Sequence, residues 1–218
     1  MRTIELESWS RRETFEFLST WASPHFGLTA NLDLTAFRPA VKRRGISFTI
    51  ATTYVITRAA NEIPEFRTRI RVPSPGAKAT VVEHEVVHPS ITLLTDDEQL
   101  CFCTLEYHPD LAVFAPGAAE RIALVSEEPT LDTEERDDWL FMTSIPWLSF
   151  TGMIHPQVGP ADCVPRFAWG KFLQQDGRIQ MPLNVQAHHA LMDGLHACRF
   201  FQKVQDYMAD PDAVLGSV

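Results

Sequence analysis

Two histidines, an acid and a glycine stand together near the C-terminus, in Gln186-Ala187-His188-His189-Ala190-Leu191-Met192-Asp193-Gly194. Imidazole titrates near ~6.5 and accepts a proton at neutral pH, so a histidine held rigidly at the edge of a cleft has the makings of a general base. A second reading has Asp193 capping the helix that follows, with both histidines as satisfied polar residues. A third is a metal site on His189, Asp193 and His196, which requires a helix that starts before His189. Farther back, Thr143-Ser144-Ile145-Pro146-Trp147-Leu148-Ser149-Phe150-Thr151 sets hydroxyls among large apolar side chains. In a dry pocket such a hydroxyl can donate to an oxyanion; in a plain strand it bonds its own backbone. His84-Glu85-Val86-Val87-His88 has the letter pattern of a zinc protease. Chelation at that spacing needs a helix, whereas VVEHEVVHP is β-branched, alternating and closed by Pro89. In a strand the two rings stand ~13 Å apart, too far to share an ion. Cys101 and Cys103 alternate in the same way and are expected to pack.

The elements that must position these groups follow from periodicity. Ile179, Met181, Leu183, Val185 and Ala187 alternate, so His189 is expected on the same face as that apolar row, where strand gives way to helix. The helix after Gly194 sets Cys198, Phe201, Val204 and Met208 on one side. Residues 139–154 and 167–186 read as further strands, with Asp176-Gly177 as a hairpin turn. Ser10-Arg11-Arg12-Glu13 has the form of a capping box ahead of a helix that buries Phe15 and Leu18. Leu28, Ala30, Leu32 and Leu34 alternate as in a half-buried strand; Thr35 caps a short helix ending at Gly45, and Ser47 opens a longer one to about Asn61. Residues 66–107 read as short strands punctuated by Pro73, Pro75, Gly76 and Pro89. Residues 111–126 are expected to be helical in their second half, and 126–138, with seven acids against one arginine, to form a solvated acidic loop. No internal repeat or linker divides the chain, which reads as one α/β unit over 1–218, with a largely antiparallel mixed sheet and flanking helices.

Composition narrows the function classes. At 218 residues the chain can bury a sizeable core, and 19 basic against 28 acidic residues give a net charge of −9, which repels nucleic-acid phosphates. The longest uncharged stretches are broken by Asp, Arg or Pro well before the ~20 residues of a membrane span. MRTIELESWSRRE offers no apolar signal segment, so a cytoplasmic protein with no membrane or nucleic-acid partner is expected. The four cysteines include no C-x-x-C pair and are expected to be reduced and buried.

Seven blocks in order resemble the chloramphenicol acetyltransferases. They are Trp9-Ser10-Arg11-Arg12-Glu13-Thr14-Phe15-Glu16, Leu32-Asp33-Leu34-Thr35-Ala36-Phe37, Pro64-Glu65-Phe66-Arg67, His88-Pro89 with Glu106-Tyr107-His108, Pro146 to Thr151, Gly170-Lys171, and His188 to Gly194. The last block also resembles the H-x-x-x-D-G signature of the acyltransferase cores of 2-oxo acid dehydrogenases. The resemblance implies a chloramphenicol acetyltransferase-like, CoA-dependent acyltransferase fold and a homotrimer with an active site at each subunit interface. It also implies acetyl-CoA as co-substrate, no metal, and direct transfer to a hydroxyl of chloramphenicol or a related amphenicol, hence antibiotic resistance. By the same resemblance His189 is the base and Ser149 the oxyanion donor, while Asp193 pairs with Arg11 to support the site. Leu18, Phe26 and Leu100 fall at acceptor-pocket positions, and Ala168, Lys171 and Phe172 at cofactor-binding ones. His188, the neighbour on the opposite strand face, is given no chemistry. The chain departs from the family at Ala168, where well-studied members have a threonine holding an active-site water. It departs again at Leu18, where the family can have an aromatic, and around His25-Phe26 and Gln99-Leu100-Cys101. The catalytic pair is kept while the acceptor pocket has drifted. The alternatives are an acetyltransferase for another alcohol, or a trimer that binds a hydrophobic small molecule with little or no turnover.

Overall fold

Apolar residues at every second position from Ile179 to Ala187 demand a covered sheet face, and the computed structural model supplies one. It describes residues 1–72, 74, 77–131 and 136–216. Pro73, Pro75, Gly76 and the 132–135 part of the acidic loop fall outside these. In chain order the elements are β1 (Arg2–Ile4), α1 (Arg12–Leu18), β2 (His25–Asp33), α2 (Phe37–Arg43), α3 (Phe48–Asn61), β3 (Thr68–Arg71), β4 (Thr80–Glu83), β5 (His88–Leu94) and β6 (Leu100–Thr104). They continue as α4 (Leu111–Glu127), β7 (Trp139–Ile145), β8 (Arg166–Gly170), β9 (Leu173–Gln175), β10 (Arg178–His188), α5 (Gly194–Ala209) and α6 (Pro211–Leu215).

Among the described residues, seven strands make one mixed sheet in the order β2-β10-β8-β7-β5-β6, with β9 paired to the start of β10. The β5–β7 and β7–β8 pairs are parallel and the rest antiparallel. β1, β4 and β3 form a second, small sheet. Met181, Leu183, Val185, Phe167, Met142, Ile91 and Cys103 turn one face of the large sheet to the helices. There Phe66, Phe167 and Phe200 pack with ring centroids 5.0 to 5.9 Å apart. The opposite face is more polar: the register aligns Thr143, Ala168, Asn184 and Thr29 across four strands. Asp176 and Gly177 both take positive φ, 51° and 77°, as the tight β9–β10 turn requires.

Several expectations shift locally. The capping box at Ser10 does not form: Arg11, not Ser10, precedes α1, and its guanidinium is committed to the 189–193 turn. Thr35 does not cap α2, because its hydroxyl accepts from the Ile179 N–H at 3.0 Å. The α4 helix covers the whole of 111–126, since the Asp110 carboxylate caps it and the exposed Pro116 forfeits only one backbone donor. The strand expected over 139–154 stops at Ile145. In α5 the buried stripe is Ala197, Phe200, Val204 and Met208, so the expected stripe is rotated: Cys198 is exposed and Phe201 only half-buried. All four cysteines are free, and the other three are buried. His84 and His88 flank an irregular link between β4 and β5; His84 meets Asp137, and His88 meets Glu106 and the Tyr107 N–H. Among the described residues, no helix is long and apolar enough to cross a membrane.

Candidate active site

β10 is the second strand of the sheet and buried on both faces, so its C-terminal end is a rigid platform. His189 is the first residue past it, and its N–H donates to the Pro24 carbonyl at 2.7 Å, which extends the β2–β10 pairing by one bond. The ring is half-buried, 4.8 Å from that of Phe26 on β2. His189 Nδ1 lies 3.1 Å from the Met192 carbonyl oxygen, an acceptor only, so the proton sits on Nδ1. That tautomer leaves the Nε2 lone pair free to take a proton. His188 faces the other way and is buried, its Nε2–H donating to the Pro160 carbonyl at 2.8 Å and its Nδ1 accepting from Ala190 N–H at 3.2 Å. Burial, reinforced by the neighbouring His25, drives its pKa down to about 4, so it stays neutral.

The turn from 189 to 193 is gripped from α1. Arg11 reaches three acceptors: Asp193 Oδ2 at 2.8 Å, the His189 carbonyl at 2.8 Å and the Ala190 carbonyl at 3.0 Å. Burial opposes the charge on Asp193, but the Arg11 bond, His196 and the Leu195 N–H outweigh it and hold the carboxyl below its ordinary value. Asp193 thus does two jobs, pairing with Arg11 and capping α5. Because α5 begins only at Gly194, His189 and His196 do not share a helix as the metal reading required. Among the described residues, no group of three or more metal-ligating side chains is found.

Ser149 lies elsewhere. The chain leaves β7 and folds back so that the Leu148 carbonyl accepts the Lys171 N–H at 2.9 Å, and the Leu148 carbonyl, Phe150 and Pro182 all crowd against Gly170. Gly170 is required there: a Cβ would sit 2.8 Å from the Leu148 oxygen and 2.9 Å from Phe150 and Pro182. Ser149 is half-buried and outside any strand. Its hydroxyl takes part in no hydrogen bond among the described residues. Gly170 lies beside Pro182, in the middle of β10 and seven residues before His189, so the Ser149 segment and His189 are separated by roughly 20 Å along that strand. One chain therefore does not bring the two together.

The other expected residues divide between the two ends. Phe26 is beside His189. Leu18 is buried in a small cluster with Phe15, Val81, Ala190 and Leu191 under the same turn. Leu100 is exposed on β6, at the far edge of the polar sheet face. Ala168 is wholly buried in β8, Lys171 is exposed, and Phe172 carries the Arg38 guanidinium 4.4 Å from its ring centre. Sequence reasoning singled out the hydroxyls of 143–151 but missed Thr92, whose hydroxyl lies 2.6 Å from that of Thr143, both half-buried on the polar face near Ala168. Their i, i+2 place among apolar neighbours in β5 and β7 was the available signal. It weighed His196 only as a metal ligand and did not pair it with Glu65, which it meets at 3.2 Å.

Comparison with known proteins gives one answer. A family model described as chloramphenicol acetyltransferase matches residues 1–205. The chain is 32% identical over 208 residues to chloramphenicol acetyltransferase 2 of Haemophilus influenzae, covering 93% of this chain and 94% of that one. It is 30% identical over 217 residues to the chloramphenicol acetyltransferase of Clostridium perfringens, covering 98% and 97%. A solved chloramphenicol acetyltransferase superposes with a TM-score of 0.81 at 25% identity, over 95% of this chain and 99% of that one. The cubic core of a pyruvate dehydrogenase complex shares the fold, with a TM-score of 0.64 at 22% identity over 93% and 88%.

Proposed function

The chain belongs to the chloramphenicol acetyltransferase family and is an acyltransferase; from that premise we propose that it transfers acetyl from acetyl-CoA to a hydroxyl of chloramphenicol or a related amphenicol, as one cytoplasmic unit over 1–218. The observation that carries this reading is the tautomer of His189, with Nδ1–H spent on the Met192 carbonyl and Nε2 left as an unshared base.

The acceptor oxygen attacks the thioester carbonyl carbon while its proton passes to His189 Nε2. An alcohol is a poor nucleophile until that proton has a destination, and base catalysis of this kind supplies ~10²- to 10⁴-fold. The carbonyl oxygen becomes an oxyanion, which the Ser149 hydroxyl meets with a hydrogen bond; such a donor contributes ~10²- to 10³-fold. The intermediate collapses with loss of the CoA thiolate, which takes the proton back from His189 as free CoA leaves. Asp193 and Arg11 hold the turn and move no proton. No metal takes part. Lys171 and the nearby Arg38 suit the phosphates of CoA, and Phe172 offers an apolar contact beside them.

The separation of about 20 Å between His189 and Ser149 supports a homotrimer whose sites combine His189 of one copy with Ser149 of the next. The segment that carries Ser149 is apolar and bare in the single chain: Trp147 is 67% exposed, Ile154 88% and Val158 96%. The acceptor then lies against the polar sheet face, between the Thr92–Thr143 pair and Leu100 on one side and the partner copy's histidine and phenylalanine at positions 189 and 26 on the other.

The test is release of free CoA, read with a thiol-reactive dye, from acetyl-CoA and chloramphenicol. The expected result is amphenicol-dependent release that His189→Gln abolishes. Release with another alcohol only would assign a different acceptor, and none with any alcohol would favour the binding protein without turnover. Turnover that survives His189→Gln would remove the base from the scheme.

A further inference from the structure

The peptide unit between Met192 and Asp193 is bonded to a histidine on each side. Its carbonyl accepts from His189 Nδ1 at 3.1 Å, and its N–H donates to His196 Nδ1 at 3.1 Å. An Nδ1 that accepts carries its ring proton on Nε2, and His196 Nε2 lies 3.2 Å from Glu65 Oε1. The donors and acceptors therefore run in one direction, from His189 through the peptide and the His196 ring to the Glu65 carboxylate. Glu65 stands on a short 3₁₀ turn, Pro64–Arg67, beside Phe66, which is locked among the core aromatics. The acceptor at the end of the chain is thus rigidly mounted.

We propose that Glu65 and His196 are positioning residues for His189, fixing its tautomer through the Met192–Asp193 peptide. This rests on the reading of His189 as the base. A peptide is planar, so pinning its N–H also aims its C=O. A chain of hydrogen bonds ending on a carboxylate polarises each member, which strengthens the carbonyl as an acceptor for the His189 proton. His196 and Glu65 have 12% and 28% of their side chains exposed, so water competes little for these bonds. His196 Nδ1 also lies 3.1 Å from Asp193 Oδ1, which a ring protonated at Nδ1 would bond instead, so the His196 tautomer is what the proposal turns on. Two supports of the turn meet at residue 193, Arg11 from α1 on its carboxylate and His196 on its N–H.

The test reads ring tautomers directly, by long-range proton–nitrogen correlation spectra of protein labelled with ¹⁵N-histidine, alongside steady-state kinetics. The unaltered protein is expected to show His189 protonated at Nδ1 alone and His196 at Nε2 alone. In His196→Leu, His189 is expected to become a mixture of tautomers. Its kcat should fall on the order of tenfold, the scale on which groups one bond removed from a functional histidine act, with KM for acetyl-CoA unchanged. His196→Asn, whose Oδ1 can take the place of Nδ1 and accept the Asp193 N–H but which cannot reach Glu65, is expected to restore the tautomer and part of kcat. Glu65→Gln keeps an acceptor without the charge and is expected to keep the tautomer while lowering kcat. An unchanged tautomer and kcat in His196→Leu would overturn the proposal. So would a loss that His196→Asn fails to restore even in part, or a His196 ring protonated at Nδ1. Because the tautomers are read without turnover, an inactive parent protein would defeat the acetyltransferase reading and leave this one to be decided by the spectra.

Discussion

His188 ties the stability of the fold to pH. Its ring is 1% exposed and its two nitrogens are already satisfied by the Pro160 carbonyl and the Ala190 N–H. Protonation would displace the Ala190 bond and leave a charge in the interior beside His25. With a folded pKa of about 4 against an ordinary 6.5, the unfolded chain binds more protons between those limits. Stability from this residue is complete above pH 6.5 and is lost as pH falls toward 4. At ~1.4 kcal/mol per pKa unit the loss reaches roughly 2 kcal/mol by pH 5 and roughly 3 kcal/mol by pH 4. The assay is urea unfolding of the parent and of His188→Gln at one protein concentration, from pH 7.5 to pH 4.5. His84, His88 and His155, whose pKa values burial also lowers, act in both proteins and cancel in the difference. His188→Gln should be less stable than the parent at pH 7.5 and close the gap by roughly 2 kcal/mol on going to pH 5. A gap that stays flat from pH 7.5 to pH 5 would refute the reasoning, because the buried neutral ring would then carry no proton linkage.

Other consequences are checked more simply. Ser149→Ala should lower kcat by about 10²-fold with little change in KM for acetyl-CoA, because the hydroxyl acts on charge that exists only in the intermediate; steady-state kinetics decides it. Arg11→Met removes bonds to one carboxylate and two carbonyls and should cost on the order of 2–4 kcal/mol by denaturant titration, together with activity; a variant as stable as its parent yet inactive would give Arg11 a direct part in the chemistry. Gly170→Ala must push the Leu148 carbonyl or Pro182 away, so it should displace the Ser149 segment. Lower kcat, with altered nuclear magnetic resonance shifts confined to that neighbourhood, is the expected outcome.

The sequence disclosed most where a period and a turn coincide. β10 was legible because alternation from Ile179 to Ala187 is bounded by Asp176-Gly177 at one end and Gly194 beyond the other, and the register bears this out. The Arg11–Asp193 pair was legible only through family resemblance, since nothing local in Ser10-Arg11-Arg12-Glu13 reveals a partner so distant in the chain; local rules favoured a capping box instead. α4 was half-missed because Pro116-Gly117 reads as a break, although a proline whose lost bond faces solvent interrupts little. The α5 stripe was misphased because Cys198 and Phe201 are apolar, and only packing against α3, β2 and the Phe66 and Phe167 rings selects Ala197 and Phe200 over them. Glu65 and His196 could not be paired from sequence, because they come from a 3₁₀ turn and a helix far apart in the chain, and periodicity does not relate the two.

The central claim is that His189 and Ser149 act on one substrate from two different copies of the chain. Chains carrying His189→Gln and chains carrying Ser149→Ala, each impaired alone, can be unfolded together in equal amounts and refolded as mixed assemblies. Pairing across subunits predicts recovered transferase activity, about one quarter of the unaltered level for random closed trimers, since that share of interfaces joins an intact His189 to an intact Ser149. Mixed assemblies no more active than the separate variants would contradict the claim, because a site built within one chain cannot be repaired by its neighbour.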